Sequence, residues 1–168
     1  MDRDELRAVQ APLKDKYRKD PSAALITLHA SGSLDEGITC SVQTGRALAT
    51  AGLHPATGGD GSALCSGDML LEALAACAGV TLRSVATSMG IELRRGDVRV
   101  EGDIDFRGTL AVDRNAPVGF TAIRLSFDLD ADAEQEQLDK LLELTQRYCV
   151  VYQTLAQSPE LDAELTTS

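Results

Sequence analysis

The chain has no excess of basic residues. Lys plus Arg is 16, Asp plus Glu is 26, and the formal net charge is −10. A nucleic-acid backbone and an anionic membrane surface both repel such a chain at long range, so neither is expected as a partner. No apolar run approaches the roughly 18 residues that a membrane span needs. The longest, residues 73–80, is bounded by Glu72 on one side and by Thr81 and Arg83 on the other. The opening stretch MDRDELRAVQ has none of the apolar character of a secretory leader, so the cytoplasm is the expected location. There is no Cys-x-x-Cys pair, which removes the thioredoxin-type motif and the usual zinc ribbons. His29 and His54 are far apart and lack metal-ligand spacing. The glycine-rich stretch 52–67 is not followed by Gly-Lys-Ser/Thr, so it is not a phosphate-binding P-loop.

What is present is enough for one domain. Hydrophobic residues make up 43% of 168, ordinary for a globular chain with a real core. Residues 1–22 read as a charged N-terminal extension with a short helix that Pro21 would end. Residues 23–51 read as a β meander, in which Ile38, Cys40 and Val42 alternate with polar neighbours. Residues 52–67 are expected to be a loop. The strongest helix spans 68–89, with Ser66 or Asp68 as cap and Gly90 as its stop. It is apolar or small on nearly every face, the mark of a buried helix. Residues 91–130 predict a long hairpin: Val98, Val100, Gly102, Ile104 and Phe106 alternate with charged residues, as do Ile123, Leu125, Phe127 and Leu129. A second helix follows over about 131–147, capped by Asp130 or Asp132, then a short one over 150–157. Residues 159–168 read as a frayed tail. The fold class is α+β, an antiparallel sheet with helices on one side.

The chemistry rests on four cysteines: Cys40, Cys65, Cys77 and Cys149. A cytosolic chain of this size does not need disulfide staples. Cys40 belongs to the core by its alternation. Cys65 lies in the glycine-rich loop and is a candidate second oxidisable thiol. The set Cys40, His54 and Cys65 fits no zinc template. Cys77 and Cys149 each sit on an apolar face of a predicted helix, and both faces want the same core. Cysteine commonly serves as a small buried hydrophobe, and apolar surroundings raise a thiol pKa. Cys77 also lies beyond the first turn of its helix, out of reach of the dipole. A reactive Cys77 therefore calls for a cation from elsewhere, with Arg18, Lys16, Lys19, Arg46 and Arg147 as candidates.

The segments SGDMLLEALAACAGVTLRSVATSMGI, VRVEGDIDFRGTL and PVGFTAIRLSFDLDADAEQEQLDKLLELTQRYCVVYQTL together resemble the OsmC/Ohr family (osmotically inducible and organic hydroperoxide resistance proteins), over about residues 23–158. Family members carry a cysteine after an Ala-Ala pair in the first helix and a second cysteine after the second helix. Cys77 and Cys149 match them. The resemblance implies antiparallel sheets packed on two central cysteine-bearing helices in an intertwined homodimer. It implies a thiol-dependent peroxidase that reduces organic hydroperoxides without metal, flavin or haem. Cys77 would become a sulfenic acid, Cys149 would close a disulfide on it, and an external dithiol of the lipoyl type would reset the pair. The peroxidase branches also carry a glutamate ten residues before the reactive cysteine, after Asn-Pro, which orients an activating arginine. Here that position is Gly67, preceded by Ser66, with Asp68 and Glu72 as the neighbouring carboxylates. Arg18 is the nearest match to the arginine. The alternative reading is a non-peroxidatic OsmC-like dimer that binds a small molecule or senses redox state.

Overall fold

The computed structural model describes residues 2–5, 7, 8, 10, 11, 19, 31–34, 39–43, 48–111 and 113–167, with backbone only at 31–34, 39–43 and 48. Within the N-terminal extension, the described residues 3–5, 7, 8, 10, 11 and 19 are helical. Pro21 lies outside the described residues.

The strands form two sheets, and a long helix lies between them in chain order. The first has four strands in the order β1 (Ser31–Leu34), β2 (Thr39–Gln43), β3 (Leu48–Gly52) and β4 (Leu64–Cys65). The first three form an antiparallel meander, with Cys40 opposite Leu34 and Ala51. β4 runs parallel to β3, which the sequence did not suggest. The expected loop over 52–67 therefore contains a 3-10 turn at Pro55–Thr57 and ends in a short strand. The second sheet is the predicted hairpin, β5 (Leu93–Ile104) against β6 (Phe120–Ala131), with Val98 opposite Phe127 and Val100 opposite Leu125. Its apolar positions are half-buried, while Arg99, Glu101, Arg124 and Asp128 are exposed. Strand β5 stops at Ile104. Asp105 breaks it by accepting from the Arg107 N–H at 3.0 Å, so Phe106 opens a helical turn instead of continuing the strand.

Helix α1 (Ser66–Met89) begins two residues earlier than expected, with Cys65 as the capping position and no side-chain cap bond. It stops at Gly90, whose φ of 75° favours glycine. By length and composition α1 is apolar enough to cross a membrane, contrary to the sequence reading. Of that apolar stretch, 22% is buried inside its own chain. Only the i, i+4 stripe Leu74, Ala78, Leu82 and Ala86 is fully buried, so the helix is not buried all round. Leu82 and Ala86 join Ile91, Leu93 and Leu141 in one core cluster. Leu74 and Ala78 join Cys149 in another, flanked by Cys77, Val100, Leu125 and Val151.

Helix α2 (Gln135–Tyr148) starts later than predicted because β6 runs on to Ala131. Glu134 takes the capping position, and its N–H donates to Gln137 Oε1 at 3.1 Å. Helix α3 (Val150–Ala156) follows after a single residue. Beyond it, residues 157–167 are exposed and lack regular structure.

Candidate active site

The residue between α2 and α3 is Cys149. It ends one helix and begins the next, so the chain bends there and turns the side chain inward to full burial. The apolar stripe of α2 had suggested a helical position; the break re-aims it. Its Sγ accepts from the Tyr152 N–H at 3.5 Å, the bond of a helix cap. Cys77, on the middle of α1, lies against this junction and packs on the buried cluster that holds Cys149. Both are free thiols.

Their surroundings separate them chemically. Burial pushes the Cys77 thiol up, but donors more than offset it: the Val151 N–H, the Cys149 thiol, the Val150 N–H and the Thr81 hydroxyl together hold it below its ordinary value. For Cys149 burial again pushes upward. The Tyr152 N–H works against this, but donation to Cys77 and the repulsion of a Cys77 thiolate leave Cys149 above its ordinary value. Cys77 therefore ionises first and Cys149 keeps its proton. The donors on Cys77 are those that sequence reasoning missed. The expected activating group was a cation, whereas the first turn of α3 and a threonine one helical turn along α1 supply neutral donors. A hydroxyl at i+4 from a helical cysteine was the available signal for Thr81.

The other candidates stand apart. Arg18, Lys16 and Arg46 lie outside the described residues. Lys19 is exposed. Arg147 holds its guanidinium 5.7 Å from the centre of the Tyr148 ring. Asp68 is nine residues before Cys77 on α1, about 13 Å along the axis, and Glu72 is five residues away on a different face. Both are exposed. Cys65 is half-buried at the start of α1, in a separate cleft of about 350 Å³ with His54, Asp68, Phe106 and Phe120. The His54 ring stacks on Phe106 at 5.0 Å, and its Nδ1 accepts from the Ala56 N–H at 3.0 Å. Among the described residues no three His, Cys, Asp or Glu side chains gather for a metal. The proposed core position of Cys40 falls on a side chain outside the description.

A second cleft, of about 600 Å³, opens between α1 and α2 over Val80, Thr81, Val85, Met89, Leu144 and Tyr148. Thr81 on its wall is one helical turn from Cys77. Apolar side chains around the pair are open to solvent: Val80 is 73% exposed, Val150 70% and Tyr148 59%.

The family model for OsmC-like proteins matches residues 59–164, the stretch that holds both cysteines, α1 and the hairpin. The chain belongs to the OsmC-like family. Solved structures of OsmC-like proteins share its fold. The OsmC-like protein of Mycoplasma pneumoniae superposes with a TM-score of 0.67 at 16% identity, covering 79% of this chain and 89% of that one. The organic hydroperoxide resistance protein OsmC of Legionella pneumophila gives 0.55 at 18%, covering 78% and 90%. The organic hydroperoxide resistance protein of Elizabethkingia anophelis, solved with thiocyanate bound, gives 0.57 at 16%, covering 80% and 91%. No curated protein matches the chain.

Proposed function

We propose that this OsmC-like protein is a cytoplasmic thiol-dependent peroxidase that reduces organic hydroperoxides through Cys77 and Cys149. The observation that carries the reading is the packed pair of free thiols with opposed shifts, Cys77 downward and Cys149 upward. A thiolate is the nucleophile in peroxide reduction and a protonated neighbour is not. In the first step the Cys77 thiolate attacks the distal peroxide oxygen. The O–O bond breaks, the alkoxide takes a proton and leaves as an alcohol, and Cys77 becomes a sulfenic acid. In the second, the Cys149 sulfur displaces the sulfenic oxygen, which leaves as water, and a Cys77–Cys149 disulfide forms. An external dithiol, of the lipoyl type in this reading, exchanges with that disulfide and returns both thiols. The apolar walls of the adjoining cleft favour an organic hydroperoxide over hydrogen peroxide. The working form is a homodimer, a reading supported by the apolar side chains Val80, Tyr148 and Val150 left open around the pair. Arg18 is the proposed cation for that assembly.

A second reading has its own observation. Gly67 stands where the peroxidase branches carry their glutamate, and Asp68 and Glu72 do not reach Cys77. An OsmC-like dimer that binds a small molecule or senses redox state would tolerate that loss. Steady-state consumption of cumene hydroperoxide and hydrogen peroxide, with dihydrolipoamide as reductant, separates the two. The peroxidase reading requires turnover with a clear preference for cumene hydroperoxide. No turnover of either favours the second reading.

A further inference from the structure

We propose that Gln153 is the positioning residue of the disulfide-closing step: it clasps α3 to the end of α2 and so keeps the Cys149 sulfur in place beside Cys77. The inference rests on the reading in which Cys149 closes a disulfide on Cys77. Gln153 acts through the backbone at the helix break rather than on the sulfurs.

A helix that breaks leaves its last carbonyls without their usual donors. In an unbroken helix the Gln146 carbonyl would accept from the Val150 N–H, four residues on. Here Cys149 interrupts the helix in an extended conformation, φ −75° and ψ 109°, and Val150 opens α3. The Gln146 carbonyl accepts instead from a side chain: Gln153 Nε2 donates to it at 2.8 Å, reaching back seven residues. The backbone of the same residue is tied to the break itself, where the Gln153 N–H donates to the Cys149 carbonyl at 2.9 Å. On the other side the Cys149 N–H donates to the Thr145 carbonyl at 2.9 Å. Cys149 is thus bound to α2 by its N–H and to α3 by its carbonyl, and Gln153 joins the two helices across it. The Tyr152 N–H, one residue before the clasp, is the group that donates to Cys149 Sγ at 3.5 Å.

The clasp matters because α3 has little else to fix its direction. It has seven residues and none is fully buried. Among the described residues the Gln153 bond is the one side-chain hydrogen bond from α3 to α2. Cys149, by contrast, is fully buried with Leu74 and Ala78, in the cluster on which Cys77 packs. A swing of α3 about residue 149 would move its sulfur relative to Cys77, and the Gln153–Gln146 bond opposes that swing.

The test is the equilibrium between the Cys77–Cys149 disulfide and the dithiol in buffers of lipoamide and dihydrolipoamide, read on the reduced full-length protein by mass spectrometry after acid quench. Each exchange oxidises the two cysteine thiols to one disulfide and reduces one lipoamide to its dithiol, with no peroxide involved. Gln153→Glu keeps the shape and removes the donor. Gln153→Ala removes the side chain in a residue that helices accept readily, so the test survives if the glutamate variant does not fold. Gln153→Lys restores a donor, of a charge that suits the carbonyl end of α2. The proposal expects the disulfide-to-dithiol ratio in a fixed buffer to fall at least about threefold in Gln153→Glu and Gln153→Ala. Gln153→Lys should lie closer to wild type than either. A residue that merely stabilised the fold would lower the melting temperature of both redox forms and leave the ratio unchanged. An unchanged or raised ratio in the donor-free variants would overturn the proposal, and so would a Gln153→Lys variant lowered as far as they are. A wild type that forms no Cys77–Cys149 disulfide in any buffer would overturn it too. Failure of the peroxidase reading is separate: it would appear as absent hydroperoxide consumption by a wild type whose redox equilibrium still responds to Gln153.

Discussion

Cys77 and Cys149 are 149 − 77 = 72 residues apart in the chain, yet they pack together at the junction of three helices. The pair is asymmetric. Cys149 is fully buried with its thiol pushed upward; Cys77 is half-buried with its thiol held down. The difference arises from backbone geometry. The break at Cys149 aims the first N–H groups of α3 at Cys77, and neither helix alone would do this.

The sign of the pH dependence follows from the downward shift of Cys77. A lowered thiol pKa means that the thiolate is already present at pH values where a free cysteine is still protonated. Its rate of oxidation by hydroperoxide should rise with pH and level off earlier than for free cysteine. Cys149→Ala removes one donor and should move that plateau to higher pH. Cys149→Ser keeps an O–H donor and should leave it close to wild type. Stopped-flow oxidation across pH 5–10, a span of about five units around the usual thiol range, checks both.

Two buried leucines separate the stability of the fold from the chemistry of the site. Leu74 and Leu141 are each about 1% exposed, but Leu74 packs in the cluster of Cys149 and Leu141 in the other cluster. Either change to alanine should cost about 2–5 kcal/mol, measured by denaturant unfolding. Only Leu74→Ala should also loosen the thiol pair and slow disulfide closure under mild oxidation.

Position 67 has room for a side chain. A Cβ there would meet Cys65 Sγ at 3.5 Å, Phe120 Cζ at 3.5 Å and Ile104 Cδ1 at 3.6 Å, all ordinary contacts. The residue lies in the first turn of α1, where a carboxylate suits the positive end of the helix. Gly67→Ala should stabilise by about 0.5–1 kcal/mol. Gly67→Glu should melt no lower than wild type. A steep fall in melting temperature for the alanine variant would show that the glycine is structurally required.

Much of the fold was legible because its signals are periodic. The β5–β6 alternation gives the observed register, and Gly90 stops α1 where its backbone freedom is needed. The misses come from competition between elements. Phe106 continues the alternation, but the Asp105 side chain captures a backbone N–H and starts a turn. Apolarity all round α1 signalled burial, yet one chain covers only one stripe, and Val80 stays open. At the site, the cysteines were legible as residues but their activation was not. The donors are backbone N–H groups brought in by a helix break, and backbone leaves no mark in residue type.

Oxidation should act on α3. The Tyr152 N–H donates to Cys149 Sγ, and the Val150 and Val151 N–H groups favour the Cys77 thiolate, so the two sulfurs face the opening N–H groups of a seven-residue helix. Sulfur in a disulfide is a poorer acceptor than a thiolate. Hydrogen exchange at Val151 and Tyr152 should therefore quicken in the disulfide form, while the amides of Leu82 and Ala86 on α1 keep their protection. Equal exchange in both forms would mean that packing alone holds the helix.

The most direct test of the central claim is a count of free thiols by mass spectrometry before and after one equivalent of cumene hydroperoxide, on wild type and on Cys149→Ser. Wild type should lose two thiols as a Cys77–Cys149 disulfide, and Cys149→Ser should carry a sulfenic acid on Cys77. If Cys77 and Cys149 both stay reduced while the hydroperoxide persists, the pair is not a peroxidase site and the account is contradicted.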